Sequence, residues 1–177
     1  MKKILVLIPL KDGHKIPSET LDSISLQTIE ADIICISRSG MVPREYALNS
    51  SIPISSIKEA VCLNIAAQEA LKTDTDYFLI MHRDVVFLKN DSIECLVSFL
   101  ETHTKYGAVA YNTREYPPDL DHIDTSCMLI RRYVLEKIPF HNKCGCICRG
   151  FIEDMKRLDS YTMACYINGT VNNMGLE

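Results

Sequence analysis

The run Tyr77-Phe78-Leu79-Ile80-Met81 is apolar without interruption and stops abruptly at His82-Arg83-Asp84. A strand with one wet face alternates apolar and polar residues. A strand apolar at every position is buried on both faces, as in a parallel sheet covered by helices on either side. Lys3 to Pro9 shows the same pattern, and Ala31 to Ile36, Gly107 to Tyr111, Thr125 to Ile130 and Met163 to Ile167 read as further strands. Segments with helical periodicity separate them, which is the signature of βαβ units and a mainly parallel sheet. Open sheets of this kind take their ligands in the crevice outside the carboxyl ends of the strands. The residues just after the strands, Pro9 to Asp12, Ser37 to Gly40 and His82 to Asp84, are therefore expected to line one edge.

The helices are read from their caps and periods. Ser18 is expected to cap a helix running to about Thr28, with Leu21 and Ile24 facing inward. Ser56-Ile57-Lys58-Glu59 forms a capping box ahead of an apolar helix ending near Lys72. Asp91-Ser92-Ile93-Glu94 opens another helix to about Thr104, a short helix passes through Leu135, and Ile152 to about Asp159 gives a helical turn or two. With 177 residues and neither linker nor repeat, the chain 1–177 reads as a single domain. A chain of this size buries about 70% of the surface its unfolded form exposes, which suffices for a packed core.

Composition excludes several classes. The net charge of −4 speaks against a nucleic-acid binder, which carries a basic stripe. No stretch approaches the roughly 20 apolar residues of a membrane helix. The apolar run after Lys2-Lys3 is short, broken by Pro9, and followed by Lys11-Asp12-Gly13 rather than a small-residue cleavage site, so it reads as a first strand rather than a leader. A cytoplasmic location is expected, with the eight cysteines reduced. Cys35, Cys62, Cys95, Cys127 and Cys165 sit in apolar runs, where a free thiol behaves as a small hydrophobe.

Three constellations could carry chemistry. A carboxylate at Asp84 can hold a hard divalent cation, which can neutralise a diphosphate. The tripeptide is not a kinase catalytic loop, because Asn90 falls one position late and no Asp-Phe-Gly follows. Glu153-Asp154 offers either favourable charge at the positive end of a helix dipole or a general base for an attacking hydroxyl. His141 with Cys144, Cys146 and Cys148 could hold a zinc ion, although Cys-x-Cys-x-Cys on a strand equally turns its thiols inward together.

In order along the chain, these features resemble the family-2 glycosyltransferases. Lys3 to Pro9 is similar to that family's opening strand ending in Ile-Pro, and Leu21-Asp22-Ser23-Ile24-Ser25-Leu26-Gln27-Thr28 to its first helix. Ile33 to Ser39 sits where the family has a strand ending in Asp-Asp-Gly-Ser. Asn64, with Ala66, Ala67 and Ala70, resembles the Arg-Asn helix that follows. Asp76 to Val85 resembles the strand with the Asp-x-Asp metal motif, in a His-x-Asp-Val variant. Cys127 to Arg132 with Val134 to Ile138 resembles the strand and helix after the acceptor loop, and Glu153-Asp154 the Glu-Asp motif.

The resemblance implies the α/β GT-A (Rossmann-like) fold, a three-layer sandwich around a mainly parallel central sheet. It implies a hexosyltransferase-like enzyme that moves a sugar, with inversion, from a nucleoside diphosphate sugar to a glycan, lipid or protein acceptor, using Mn2+ or Mg2+. Pro9, Leu10, Lys11, Ser37, Arg38, Ser39, Asn64, His82 and Arg83 would line the donor site. Asp84, with His82 beside it, would bind the metal, and Asp154, supported by Glu153, would act as base. The loop Asn112 to Asp124 would shape the acceptor side. The chain departs from the family pattern at three places. Ser37-Arg38 replaces an acidic pair, His82 replaces an aspartate, and Asn172-Asn173 stand in the region of an expected histidine. A non-catalytic binding or assembly module on the same fold is the alternative. A nucleotidyltransferase ranks lower, because Leu10-Lys11-Asp12-Gly13 has one glycine where a glycine-rich loop is needed.

Overall fold

The computed structural model describes residues 2–10, 14–37, 59–111, 126–140, 147–158, 163–167 and 171–173. The first strand, β1 (Ile4–Leu10), sends Leu5 and Leu7 to one face and Ile4, Val6, Ile8 and Leu10 to the other, all buried. It pairs in parallel with β2 (Ala31–Ser37) on one side and β3 (Tyr77–Met81) on the other. β3 splits its side chains likewise, Phe78 and Ile80 against Tyr77, Leu79 and Met81. The continuous apolar runs are thus the mark of strands with no wet face.

The sheet continues through β6 (Cys127–Arg131), β5 (Tyr106–Tyr111) and β7 (Met163–Ile167), in the order β2-β1-β3-β6-β5-β7. β6 is antiparallel to both its neighbours, while β5 and β7 are parallel to each other. The sheet is therefore mainly parallel, with one reversed strand. Helices α2 (Glu59–Ala70), α4 (Arg132–Lys137) and α5 (Ile147–Met155) cover one face through Leu63, Ala67, Val134, Phe151 and Met155. Helices α1 (Ser18–Ser25) and α3 (Ser92–Thr102) cover the other through Leu21, Ile24, Ile93 and Leu96. The result is the expected three-layer sandwich. Gly107 fits the close approach of the first layer, because a Cβ there would lie 2.7 Å from Val134 Cγ2 and 2.9 Å from Met155 Cε.

Several local expectations are corrected. Ser18 does not cap α1; Pro17 takes the cap position, its carbonyl accepts from the Leu21 N–H at 3.3 Å, and the Ser18 hydroxyl goes to Glu19. The helix ends at Ser25 rather than Thr28, because Gln27 and Thr28 turn to bond the backbone of residues 89–93. Helix α5 begins at Ile147 and ends at Met155, earlier at both ends than expected. Gly150 does not interrupt it, since Phe151, Ile152 and Met155 supply a buried stripe that tertiary packing rewards. Glu153 and Asp154 consequently lie in the last turn, at the negative end of the dipole, and cannot be favourable first-turn charges. Cys127 is buried as expected, but Cys95 is exposed on α3. A second small sheet, β4 (Val85–Phe87) with β8 (Val171–Asn173), was not foreseen. The remaining part of the capping box before Glu59, the acceptor-side loop and the His141, Cys144 and Cys146 cluster lie outside the described residues, as does the side chain of Cys148.

Candidate functional site

Where β3 ends, the chain makes a turn: the Val85 N–H donates to the His82 carbonyl at 3.2 Å, with Arg83 and Asp84 at the corner. All three ionisable residues of that turn are half-buried. The turn is fastened at both sides. The His82 N–H donates to the Ser126 carbonyl at 2.8 Å, and Ser126 Oγ lies 3.5 Å from His82 Nδ1. The Arg83 guanidinium donates to the Lys15 carbonyl at 3.1 Å, and the buried Thr20 hydroxyl donates to the Arg83 carbonyl at 2.7 Å. Beyond the turn, β4 pairs with β8, which sets Asn173 opposite Val85 and Asn172 opposite Val86. Asn172 and Asn173, in the region of the expected histidine, thus pair with the strand that leaves Asp84.

The ends of β1 and β2 reach the same edge, with Pro9 opposite Ile36 and Leu10 opposite Ser37. Pro9 is half-buried, whereas the Leu10 side chain is part of the core, so Leu10 can meet a ligand only through its backbone. Lys11, Arg38 and Ser39 lie outside the described residues, as does the side chain of Ser37.

The Asn64 amide spans the backbone of Phe140, donating to the carbonyl and accepting from the N–H, each at 2.7 Å. Phe140 stacks on Phe151 of α5 with ring centroids 4.8 Å apart. Asn64 thus ties α2 to the segment that precedes α5 through this pair of hydrogen bonds. Two residues past Phe151, Glu153 and Asp154 are half-buried, and Arg157 reaches Asp154 Oδ1 at 3.2 Å.

Ser126 was missed in the sequence. It falls at the start of the strand read over Thr125 to Ile130, and in a mainly parallel sheet the start of a strand lies at the far edge. Because β6 runs the other way, its first residues meet the last residues of β3, Met81 opposite Cys127. Thr20 was also missed, since a threonine between Glu19 and Leu21 looks like a surface position. Its spacing to Ser23 and Gln27 was the available signal, because those residues share one side of the helix.

The residues expected to hold a divalent ion, Asp84 and His82, offer one carboxylate and one imidazole from this turn. Among the described residues no group of three or more His, Cys, Asp or Glu side chains could hold a metal alone. That set fits an ion of the Mg2+ or Mn2+ kind, which takes one or two protein ligands and completes its shell with phosphate oxygens and water.

No protein-family model matches the chain, and no curated protein matches it. Solved structures do. A mannosyltransferase, PcManGT from Pyrobaculum calidifontis in complex with GDP-Man and Mn2+, superposes with a TM-score of 0.75 at 15% identity, covering 98% of this chain and 57% of that one. TarS 1-349 from S. aureus gives 0.70 at 13% identity, over 98% and 60% of the two chains. Glucosyl-3-phosphoglycerate synthase from Mycobacterium tuberculosis, in complex with Mn2+, UDP-Glc and phosphoglyceric acid, gives 0.67 at 14% identity, over 99% and 73%. The chain has the GT-A fold of nucleotide-sugar transferases. It spans somewhat over half the length of the first two of these proteins. No helix among the described residues is long and apolar enough to cross a membrane.

Proposed function

We propose that this domain is a metal-dependent glycosyltransferase that moves a hexosyl group, with inversion, from a nucleoside diphosphate sugar to a glycan, lipid or protein acceptor. The observation that carries this reading is the fastened His82–Val85 turn at the carboxyl edge of a GT-A sheet. Similar folds hold GDP-Man with Mn2+ or UDP-Glc with Mn2+. Asp84 and His82 hold the divalent ion, which when bound supplies Lewis-acid stabilisation to the leaving diphosphate. Pro9, Leu10 and Lys11, with Ser37, Arg38 and Ser39, flank the nucleoside, the first two through the ends of β1. Arg83, with one nitrogen on the Lys15 carbonyl, adds positive charge to that edge. Asp154 takes the proton of the attacking acceptor hydroxyl as it adds to the anomeric carbon, and Glu153 supports it.

One observation favours a second reading, a binding or assembly module without turnover: the Asp154 carboxylate is already engaged by Arg157 at 3.2 Å. The test is a thermal-shift screen of UDP, GDP, CDP and dTDP sugars with and without manganese, followed by an assay of sugar transfer. Ligand at 100 times its dissociation constant adds about 2.7 kcal/mol of stability, which at about 2–4 °C per kcal/mol raises the melting point by roughly 5–10 °C. A manganese-dependent shift with turnover supports the enzyme. A shift without turnover supports the module, and no shift with any nucleotide overturns the donor site.

A further inference from the structure

Helix α1 carries a stripe of polar side chains turned into the protein. Thr20, Ser23 and Gln27 follow each other at helical spacing, and Thr20 and Ser23 are both buried. Each one bonds the backbone of the segment that begins at the metal-site turn. The Thr20 hydroxyl donates to the Arg83 carbonyl at 2.7 Å. Ser23 Oγ donates to the Thr20 carbonyl at 2.8 Å and accepts the Phe87 N–H at 3.2 Å. Gln27, just past the helix end, donates to the Lys89 carbonyl at 2.9 Å and accepts the Ile93 N–H at 3.0 Å. Thr28 finishes the row, its N–H on the Asn90 carbonyl at 2.7 Å.

These partners lie more than 60 residues away in sequence, so the stripe is a tertiary device and not helix capping. Burying such groups is tolerated only when each finds a partner. An apolar side chain at any of these positions would be the simpler solution for a helix packed on a core. The stripe follows the one stretch of backbone that must present Asp84.

We infer that α1 is a template for the metal-site turn, and that Thr20 is a positioning residue for Asp84. The bond to the Arg83 carbonyl fixes the orientation of the peptide that joins Arg83 to Asp84, and so the direction in which the Asp84 carboxylate leaves the backbone. Thr20 acts through this peptide, by its bond to the Arg83 carbonyl. Partners of this kind, which orient a ligand without being one, are worth about 10–100-fold in metal affinity when removed. The inference rests on the reading of Asp84 as a metal ligand.

The test uses Thr20→Val, nearly the same shape without the hydroxyl, with Thr20→Ser as the variant that restores it. Ser25→Ala is the control, since the exposed Ser25 hydroxyl bonds only within its own helix, on the Asp22 carbonyl at 2.8 Å. Two readouts are taken. Free Mn2+ is measured by electron paramagnetic resonance in titrations with UDP and with GDP. Hydrogen exchange of the Asp84 and Val85 amides is measured in the protein alone. Thr20→Val is expected to weaken Mn2+–nucleotide binding by about 10–100-fold and to speed exchange at Asp84 and Val85 but not at Leu79 and Ile80. Thr20→Ser is expected to restore both. Unchanged affinity and exchange in Thr20→Val overturn the inference while the metal site stands. Faster exchange throughout β3 also overturns it, because Thr20 would then serve stability alone. If wild-type protein binds neither of these nucleotides, nor CDP or dTDP, with Mn2+, the metal-site reading fails and the inference falls with it. Local exchange that still responds to Thr20→Val would then mark the stripe as a purely architectural clamp.

Discussion

The two edges of the central sheet are built on different principles. At the edge where β1 and β3 begin, charges answer one another. Lys3 meets Asp74 at 2.8 Å, and its backbone N–H meets Asp76 at 2.9 Å. Tyr77 bonds Glu101, which also faces Lys2 and Arg131. The Arg132 guanidinium donates to the carbonyls of Leu71, Thr73 and Thr75, closing the end of α2, while its Nε meets Glu136. The shifted acidities of the described residues lie here. The hydrogen bond from Lys3 holds the Asp74 carboxyl low, the bond from Tyr77 does the same for Glu101, and burial pushes the Tyr77 hydroxyl well above its ordinary value. At the opposite edge, the His82–Asp84 turn is fixed mainly through backbone carbonyls and N–H groups. A turn gripped by its backbone keeps its carboxylate for a ligand; a carboxylate gripped by a cation does not. Ion pairs thus gather at one end of these strands, and the proposed metal site lies at the other.

That contrast can be broken by substitution. Asp84→Asn is expected to abolish manganese-dependent nucleotide binding and leave the circular dichroism spectrum and melting point near wild type. Global unfolding would show that both edges serve stability. Asp154→Ala is expected to reduce transfer by about 10²–10⁴-fold, the usual contribution of a general base, with nucleotide affinity retained. Equal loss of both would assign Asp154 to donor binding.

Substitutions on the other side should do the reverse. Arg132→Ala leaves the carbonyls of Leu71, Thr73 and Thr75, just past α2, without their cation; bonds to charged groups are worth about 1.5–3 kcal/mol, so the melting point should fall by several degrees with nucleotide affinity unchanged. Gly107→Ala, near the start of β5, forces Val134 and Met155 aside and should cost about 1–3 kcal/mol. Met155 can yield at its tip, while the branched Val134 cannot.

The smallest effect is one of pH. Tyr77 has a raised folded pKa, so its contribution is complete below the ordinary value of 10.0 and is lost as pH rises above it, when the unfolded chain ionises first. A melting-temperature series across pH 10.0 should show wild type declining more steeply than Tyr77→Phe. Parallel curves would remove Tyr77 from the account of this edge.

The layered fold was legible because it depends on short-range pattern, and the candidate site was chosen from the same pattern. Strands buried on both faces read as unbroken apolar runs in Ile4–Leu10 and Tyr77–Met81, and the second run ends visibly in His82-Arg83-Asp84. Glu153 and Asp154 were found as a pair but misplaced on their helix, since Gly150 looks like a boundary until packing of Phe151 and Met155 carries α5 across it. Asn64 was singled out through the resemblance of its helix to an Arg-Asn helix. Nothing near it in the chain reveals that its partner is Phe140, 76 residues on.

The sequence by itself determined the strands of the central sheet, that the sheet has helices on both faces, and that one apolar strand ends in an acid. Side-chain periods of two and near four are written into neighbouring residues, and burial follows from them. Tertiary structure alone decided that β6 runs backward and brings Ser126 to His82, that β8 returns Asn172 and Asn173 beside β4, and that Thr20, Ser23 and Gln27 face a backbone rather than water. Each of these is a pairing between distant segments, and its energy comes from satisfying polar groups that only the assembled layers bury.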